Sequence, residues 1–447
     1  MNKGEQEENT ENKEDGDDIH IIGQGSYGCI YRPNIGCATK KAESKTHLSK
    51  IQRLDRTTRN EIAISKLIRA TIPRFANRFA PIIESCPITL GEMTDSNVQK
   101  CKMMQHQHQH QNQNQNQSQQ FVSNKMRFAG KHTLGDYLEK ELHRTPKKSN
   151  QYMKKLVNAH NELLTSLTLL HKANILHLDL KHNNIMVSDK TGRPIIIDFG
   201  LSFQTNHLAL DKYQTLEAEQ FFGIETPYYP PWCVEINVLS FLSRRLRGSA
   251  SALDTSLATK VIDNNGLEDI HSVVQNFVKK HSFLQSKDIV EESALAAYKS
   301  KLSQWMAQIK GKTWSETWEY VAKSHATWDN YSVCVLFLTE LQLADKLNTP
   351  IIEKYVDLMK RVILSPPEER LGSLETQKEL QALFSRVPRK EYKKVLEQGH
   401  NEGHNEGQNQ NQNQNETKTQ NQKRRIKKNR LEALESEAYL RKRKLTA

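Results

Sequence analysis

Apolar positions run through the middle of this 447-residue chain and are scarce at both ends. Short apolar or alternating runs predict strands at Ile19–Ile22, Cys29–Tyr31, His47–Ile51, Ile185–Val187 and Ile195–Ile197. The last two flank a turn with Gly192 and Pro194, which makes them a hairpin. Apolar residues three and four apart predict helices. One begins at Thr57 and carries Ile62, Ile64, Leu67 and Ile68. A second covers Tyr152–His171 with Leu156, Val157, Leu163, Leu164, Leu167 and Leu170. Leu267–Phe283 and Ser293–Ile309 read as two more.

Two stretches break the pattern. Gln105–Gln120 alternates Gln with His and then Asn, and Gly399–Gln422 repeats His-Asn-Glu-Gly before alternating Gln and Asn. Neither can bury apolar surface, so both are expected to be disordered. His106, His108 and His110 are a conceivable metal site, but a tandem-repeat expansion explains them better. Only 36% of the chain is hydrophobic, which agrees with segments that do not pack. The length suits two or three domains.

The net charge of +12 is uneven. Residues 1–18 hold eight acids against two lysines and read as a disordered acidic arm. Residues 423–447 hold ten Lys/Arg against three Glu, with a helix-compatible stretch at Leu431–Leu440. Such a tail suits nuclear import, a nucleic acid or an anionic lipid, or is simply a solvated charged end. No apolar run reaches the roughly 18–20 residues that span a bilayer, and the acidic N-terminus does not read as a signal peptide. Six cysteines (29, 37, 86, 101, 233, 334) are too sparse for a disulfide scaffold. They read as reduced thiols of a cytosolic or nuclear protein. Cys29 and Cys37 lack the further ligands that zinc needs.

The strand Ile19–Ile22 runs into Gly23-Gln24-Gly25-Ser26-Tyr27-Gly28-Cys29-Ile30, a G-x-G-x-x-G run. Glycines there let a backbone turn sharply and approach phosphate. Dinucleotide folds share the motif but need a helix directly after it. Here a strand follows, and Pro33 soon stops any helix. A strand–loop–strand flap over phosphates calls for a lysine on the next strand and a carboxylate to pair with it. Lys50, in strand context between Leu48 and Ile51, and Glu61 fit those places. The separation of eleven residues is short, so Lys45 is a rival.

The most specific pattern is His177-Leu178-Asp179-Leu180-Lys181-His182-Asn183-Asn184, followed by Ile197-Asp198-Phe199-Gly200. The hairpin between them brings Asp179, Asn184 and Asp198 toward one place. Phosphoryl transfer needs alignment and charge neutralisation more than covalent help. Asp179 suits the group that orients and deprotonates a hydroxyl, and Lys181 suits a cation steadying the phosphoryl group. Asn184 and Asp198 supply the hard oxygen donors that magnesium prefers.

On these residues the chain resembles the eukaryotic-type protein kinases, and Lys181 after Asp179 resembles their serine/threonine branch. Cys29-Ile30-Tyr31-Arg32-Pro33 and Ser49-Lys50-Ile51 look most like the divergent kinases of large nucleocytoplasmic DNA viruses. The resemblance implies an α+β, bilobal fold over about 19–386. It has a β-rich N-lobe (about 19–130, with the polar insertion 105–120) and a mainly helical C-lobe (about 131–386, with a helical insertion at about 240–325). A linker and low-complexity segment, 387–422, then precedes the basic tail. It implies ATP held by Gly23, Gly25, Ser26, Gly28, Ile30 and Lys50, with Mg2+ on Asn184 and Asp198. Catalysis would involve Asp179, Lys181, Lys50 and Glu61. It further implies Ser/Thr protein substrates, a monomer, and an intracellular or virion location.

Further parts of the pattern follow. Thr226-Pro227-Tyr228-Tyr229 resembles the substrate-side loop. Asp329-Asn330-Tyr331-Ser332 resembles the start of the buried central helix, whose aspartate would hold the catalytic-loop backbone. Ser365-Pro366-Pro367-Glu368-Glu369-Arg370 resembles the late element whose Arg pairs with a glutamate, here Glu235, two residues later than expected. Leu178 stands where an arginine often reads an activation-loop phosphate, which implies activity without that phosphate. The hinge falls near Lys125–Gly130. Trp305, Trp314, Trp318 and Trp328 suit the core of a helical subdomain better than a docking surface. A nucleotide-binding scaffold without transfer, a small-molecule kinase and a nucleic-acid protein stay open as alternatives.

Overall fold

The computed structural model describes residues 18–25, 28–37, 41–89, 100–101, 120–143, 149–209, 222, 226–247, 253–287, 289–343 and 350–385. The acidic arm, the bulk of the Gln/His/Asn insertion, the 387–422 segment, the basic tail and Ser26 lie outside them. The chain divides into two compact units. One takes the chain up to Ala129 together with Asp198–Gly200; the other takes Gly130–Ile197 and the chain from Leu201 onward.

The first unit is a five-stranded antiparallel sheet with one long helix. Its strands are β1 (His20–Gly25), β2 (Gly28–Arg32), β3 (His47–Arg53), β4 (Ile82–Ile88) and β5 (Phe121–Arg127), in the order β1-β2-β3-β5-β4. The helix α1 is Arg56–Thr71, capped by the Asp55 carboxylate, which accepts from the Thr58 amide at 2.9 Å. Alternation along each strand gives the sheet two faces. Lys50 and Gln52 turn toward Glu61 of α1. Cys29, Tyr31 and Ile51 turn the other way, into an apolar cluster with Ile19, Ile35, Ile88, Cys101 and Phe121.

That second face is covered by the connection between β2 and β3. Ile35 is tied through its backbone N–H and C=O to the Ser49 hydroxyl, at 2.9 and 3.3 Å. Glu43 accepts from Lys125 at 3.0 Å and from Asn34 at 2.9 Å. The Cys37–Cys86 disulfide ties this connection to β4, and Cys29–Cys101 ties β2 to the chain between β4 and β5. This corrects the reading of six reduced thiols: only Cys233 and Cys334 are free, and both are buried. The register explains the error. Cys29 pairs with Ile51, Ile51 with Ser123, and Ser123 with Cys86. Directly paired residues share a face, so cysteines far apart in sequence stand on one surface.

The second unit is mainly helical. The helix Ser149–Lys172 packs against Leu134–His143, Trp328–Leu343 and Ser373–Ser385. Three short strands, His132–Thr133, Ile185–Val187 and Pro194–Ile196, form one small sheet, and Ile175–Leu176 pairs with Phe203–Gln204. Within the expected insertion, the main helices are Val234–Arg245, Asn264–Lys280, Glu292–Ala307 and Trp314–Ala322. Its tryptophans are interior: Trp305, Trp314, Trp318 and Trp328 are at most 3% exposed. Gly266 leaves room for one of them, since a Cβ there would lie 2.8 Å from the Trp314 ring. No helix among the described residues is long and apolar enough to cross a membrane.

The disulfide pattern has a direct test. Thiol titration of the denatured, unreduced chain should find two reactive thiols, rising to all six after reduction. Reduction, or Cys29→Ser with Cys37→Ser, should destabilise the first unit by about 2–5 kcal/mol per lost bridge. Hydrogen exchange should quicken in β1–β3 and stay unchanged in the helix Ser149–Lys172.

Candidate active site

The first unit gathers Lys50, Glu61 and Asp198 on the α1-facing side of its sheet. Lys50 stands in register between Ile30 of β2 and Asn124 of β5. Its ammonium donates to Glu61 at 2.9 and 3.2 Å and lies 3.4 Å from Asp198. Only two residues, Leu54 and Asp55, connect β3 to α1, so a separation of eleven suffices for the pair. Glu61 is aimed from behind: Gln52 donates to it at 3.2 Å and to the Thr58 hydroxyl at 2.9 Å. Thr58 in turn donates to the Arg53 carbonyl at 2.7 Å. Burial works against the Lys50 ammonium, yet the Asp198 and Glu61 carboxylates outweigh it and raise its pKa. Lys45 lies exposed in the turn before β3, where its carbonyl accepts from Arg32 at 2.9 Å.

Asp198 adopts φ +63°, a left-handed conformation uncommon outside glycine. Its neighbours over-determine it. Phe199 is fully buried, edge-on to Phe79 at 6.3 Å. Gly200 passes so close to α1 that a Cβ would sit 2.8 Å from Thr57, and its carbonyl accepts from Asn60 at 3.1 Å. Strain held this way is typical of functional sites.

The glycines of the flap have unlike reasons. A Cβ at Gly28 would stand 2.0 Å from the Ile51 carbonyl oxygen, so the pairing of β2 with β3 itself excludes a side chain. A Cβ at Gly23 would meet Ile30 at an ordinary 3.5 Å. Packing therefore does not demand glycine there, and an open backbone beside Ile30 and Lys50 suits a phosphate chain.

In the second unit, the loop His177–Asn184 is held from several sides. Asp329, at the start of the helix Trp328–Leu343, accepts from the His177 and Leu178 amides at 2.7 and 2.9 Å. Leu178 is left-handed, at φ +60°, and its carbonyl accepts from the Trp232 indole at 2.8 Å. The His177 ring bridges the Ile197 carbonyl through Nε2 at 3.1 Å and the Asp179 amide through Nδ1 at 3.3 Å. A neutral ring protonated on Nε2 satisfies both bonds.

Asp179 is 4% exposed. Asn184 donates through Nδ2 to the Asp179 carbonyl and to its Oδ2, each at 2.8 Å. Lys181 lies 3.4 Å from Oδ1, and the Tyr229 hydroxyl donates to that same oxygen. Farther back, Arg370 and Glu235 form a two-bond ion pair at 2.5 and 3.0 Å with both side chains at 0% exposure. The two-residue displacement of Glu235 is thus absorbed. Thr327 accepts from Arg370 at 3.2 Å, and Ser324 donates to Glu235 at 3.1 Å.

Residues 90–230 match the protein kinase domain family. Over 91 residues the chain is 30% identical to the EKC/KEOPS complex subunit bud32 of Dictyostelium discoideum, covering 20% of this chain and 34% of that protein. The match therefore spans about a third of that relative's length. The family match contains Asp179, Lys181, Asn184, Asp198 and Tyr229, while the glycine flap, Lys50 and Glu61 precede it and Asp329 and Arg370 follow it. With a β-rich first unit and a helical second one, the chain has an α+β, protein-kinase-like fold.

The residues present also fit a nucleotide with a hard cation. Because Asn184 commits its Nδ2 to Asp179, its oxygen is the end available to a metal. Asp198 keeps a side chain 40% exposed. No group of three or more His, Cys, Asp or Glu converges among the described residues. The Asn184 and Asp198 oxygens, taken each in its own unit, are hard donors of the kind that magnesium accepts. Sequence reasoning did not find the bonds of Tyr229 and Trp232 to the loop; only their nearness to Thr226-Pro227 in sequence pointed there.

The buried ion pair can be tested apart from chemistry. Glu235→Gln should cost about 3–5 kcal/mol in urea unfolding of the helical unit, because it strands the Arg370 charge. Replacing both Glu235 and Arg370 with Met should recover most of that loss.

Proposed function

We propose that this chain transfers the γ-phosphoryl group of ATP to serine or threonine hydroxyls of proteins. The observation that carries this reading is Asp179, fixed by Asn184 on one oxygen and flanked by Lys181 on the other. A carboxylate so oriented can accept a hydroxyl proton as the oxygen attacks phosphorus. Lys181 would offset charge gathering on the transferred group, and its place two residues after Asp179 supports the serine/threonine choice. Lys50, kept charged and aimed by Glu61, would hold the ATP phosphates beneath the Gly23–Gly28 backbone, with Ile30 beside the base. Asn184 and Asp198 would hold Mg2+, which when bound neutralises the phosphate oxygens.

Protein substrates follow from this reading, and the basic 423–447 tail would add an anionic partner such as a nucleic acid or an import receptor. The likeness to kinases of large DNA viruses rests on Cys29–Pro33 and Ser49–Ile51, and with it an intracellular or virion location. A second reading, a nucleotide-binding scaffold without transfer, is favoured by one observation: the Tyr229 hydroxyl covers Asp179.

Transfer of radiolabelled phosphate from Mg-ATP to casein and a basic-protein mixture separates the two. Label on serine or threonine is expected from the wild type. Asp179→Asn should lower the rate by about 10²–10⁴-fold while ATP binding persists, and Asp198→Asn should abolish metal-dependent transfer. Folded, ATP-binding wild type that labels nothing would establish the scaffold instead.

A further inference from the structure

We propose that the outer face of α1 is a docking surface for the phosphate backbone of a nucleic-acid duplex. The surface is separate from the transfer chemistry and does not rest on the transferase reading. Residues 53–78 hold six Arg and one Lys against only Asp55 and Glu61. Both acids are engaged elsewhere: Asp55 caps the helix, and Glu61 is buried against Lys50. On the sheet, Glu43 and Glu84 lie 3.0 and 3.8 Å from Lys125.

Helical spacing turns this charge into a stripe. Arg56, Arg59, Ala63, Lys66 and Ala70 are exposed, at intervals of three and four that return to one side of the helix. Thr58, Glu61, Ile64, Ser65 and Ile68 are buried on the other side. The alanines between the long cations let a bulky anion come close. Arg69 stands in the last turn, its Nε buried with no hydrogen-bond partner among the described residues. Past the helix, Arg74 is exposed in a left-handed conformation at φ +54°. Arg59, Lys66, Arg69 and Arg74 form no ion pair among the described residues.

These charges work against the helix that carries them. The first turn holds no acid, and Arg56 and Arg59 sit at the positive end of the helix dipole. Arg56 with Arg59, and Lys66 with Arg69, are like charges three residues apart and repel. A bound polyanion relieves both, because dipole and cations then attract it together. The support is firm. The Ser65 hydroxyl accepts from the Ile82 amide at 3.0 Å and ties α1 to β4, and Arg127 of β5 donates to the Ala76 carbonyl in the turn after the helix.

The chemistry of the face selects the partner. A protein interface has an apolar core, and a helix lying on a membrane buries an apolar face. The exposed large hydrophobic residues described are Ile22, Val261 and Leu374, none of them on α1. A single strand calls for aromatic rings on which bases stack, and α1 has no aromatic residue. A rod of cations, mostly guanidinium groups that match phosphate, suits a duplex backbone read without regard to sequence.

The test measures binding of the full chain to a short labelled DNA duplex by fluorescence anisotropy, between about 50 and 200 mM salt. Arg59→Gln, Lys66→Gln and Arg74→Gln together should lower the slope of log K against log salt by about 2–3, equally on unrelated sequences. Arg59→Lys with Arg74→Lys should keep the slope. The duplex should slow hydrogen exchange in wild-type α1 and leave the helix Trp328–Leu343 unchanged. A slope unmoved by the Gln substitutions, with binding lost instead when the cations of 423–447 become Gln, would overturn the inference. So would a wild type that does not bind the duplex, or exchange in α1 that the duplex does not slow. Equal weakening toward polyglutamate or phosphatidylserine vesicles would overturn the choice of a duplex.

Discussion

One buried carboxylate fixes the loop on which everything in the second unit depends. Asp329 accepts two consecutive backbone N–H groups, those of His177 and Leu178. Leu178 is left-handed, a conformation that costs a branched residue about 1–2 kcal/mol. Two charge-assisted bonds of about 1.5–3 kcal/mol each are more than enough to hold it. The carboxylate sits on the helix Trp328–Leu343, whose apolar residues from Val333 to Leu338 are at most 4% exposed. Burial pushes the Asp329 carboxyl up, and the nearby His177 and the two amides pull it back. The position of Asp179 is therefore inherited from a packed helix, not from the loop's own preferences.

The first unit solves a different problem. A small sheet with a helix on one face leaves the other face exposed. Here the β2–β3 connection folds over that face, and the Ser49 hydroxyl, Glu43 and the Cys37–Cys86 disulfide hold it there. Cys29, disulfide-bonded to Cys101, lies in β2 under this cover and stands between Gly28 and Ile30. The strand that ends the glycine flap is thus crosslinked on one face and lies beside Lys50 on the other. Its rigidity comes from the covered face, where no nucleotide chemistry is required.

Much of this was legible in the sequence where local spacing carries the information. Asp179, Lys181 and Asn184 lie within one short loop, and their contacts follow from that loop's turn. The Lys50–Glu61 pair was readable from the strand context of Lys50, while the short separation kept Lys45 as a rival until the structure placed the pair. The Glu235–Arg370 pair survived a two-residue displacement because only one glutamate stood in reach of the expected place. The disulfides were not legible. They depend on strand register across β2, β3, β5 and β4, and cysteine counting sees number and not facing. Nor was the aim of Tyr229, since it depends on the Trp232 and Ser332 anchors that turn its segment.

Leu178 departs from the kinase pattern, and the structure connects it to Tyr229 of the substrate-side loop. With leucine where an arginine often stands, the loop has no cation at that place to read a phosphate on a neighbouring segment. The leucine is 2% exposed, and only its backbone is used: two atoms bonded to Asp329 and Trp232. The same Trp232 packs against Tyr229, whose hydroxyl meets Asp179. Backbone anchor, aromatic stack and covering hydroxyl thus form one connected set within the second unit. Within that unit, the Tyr229 hydroxyl covers the Asp179 oxygen that faces Lys181.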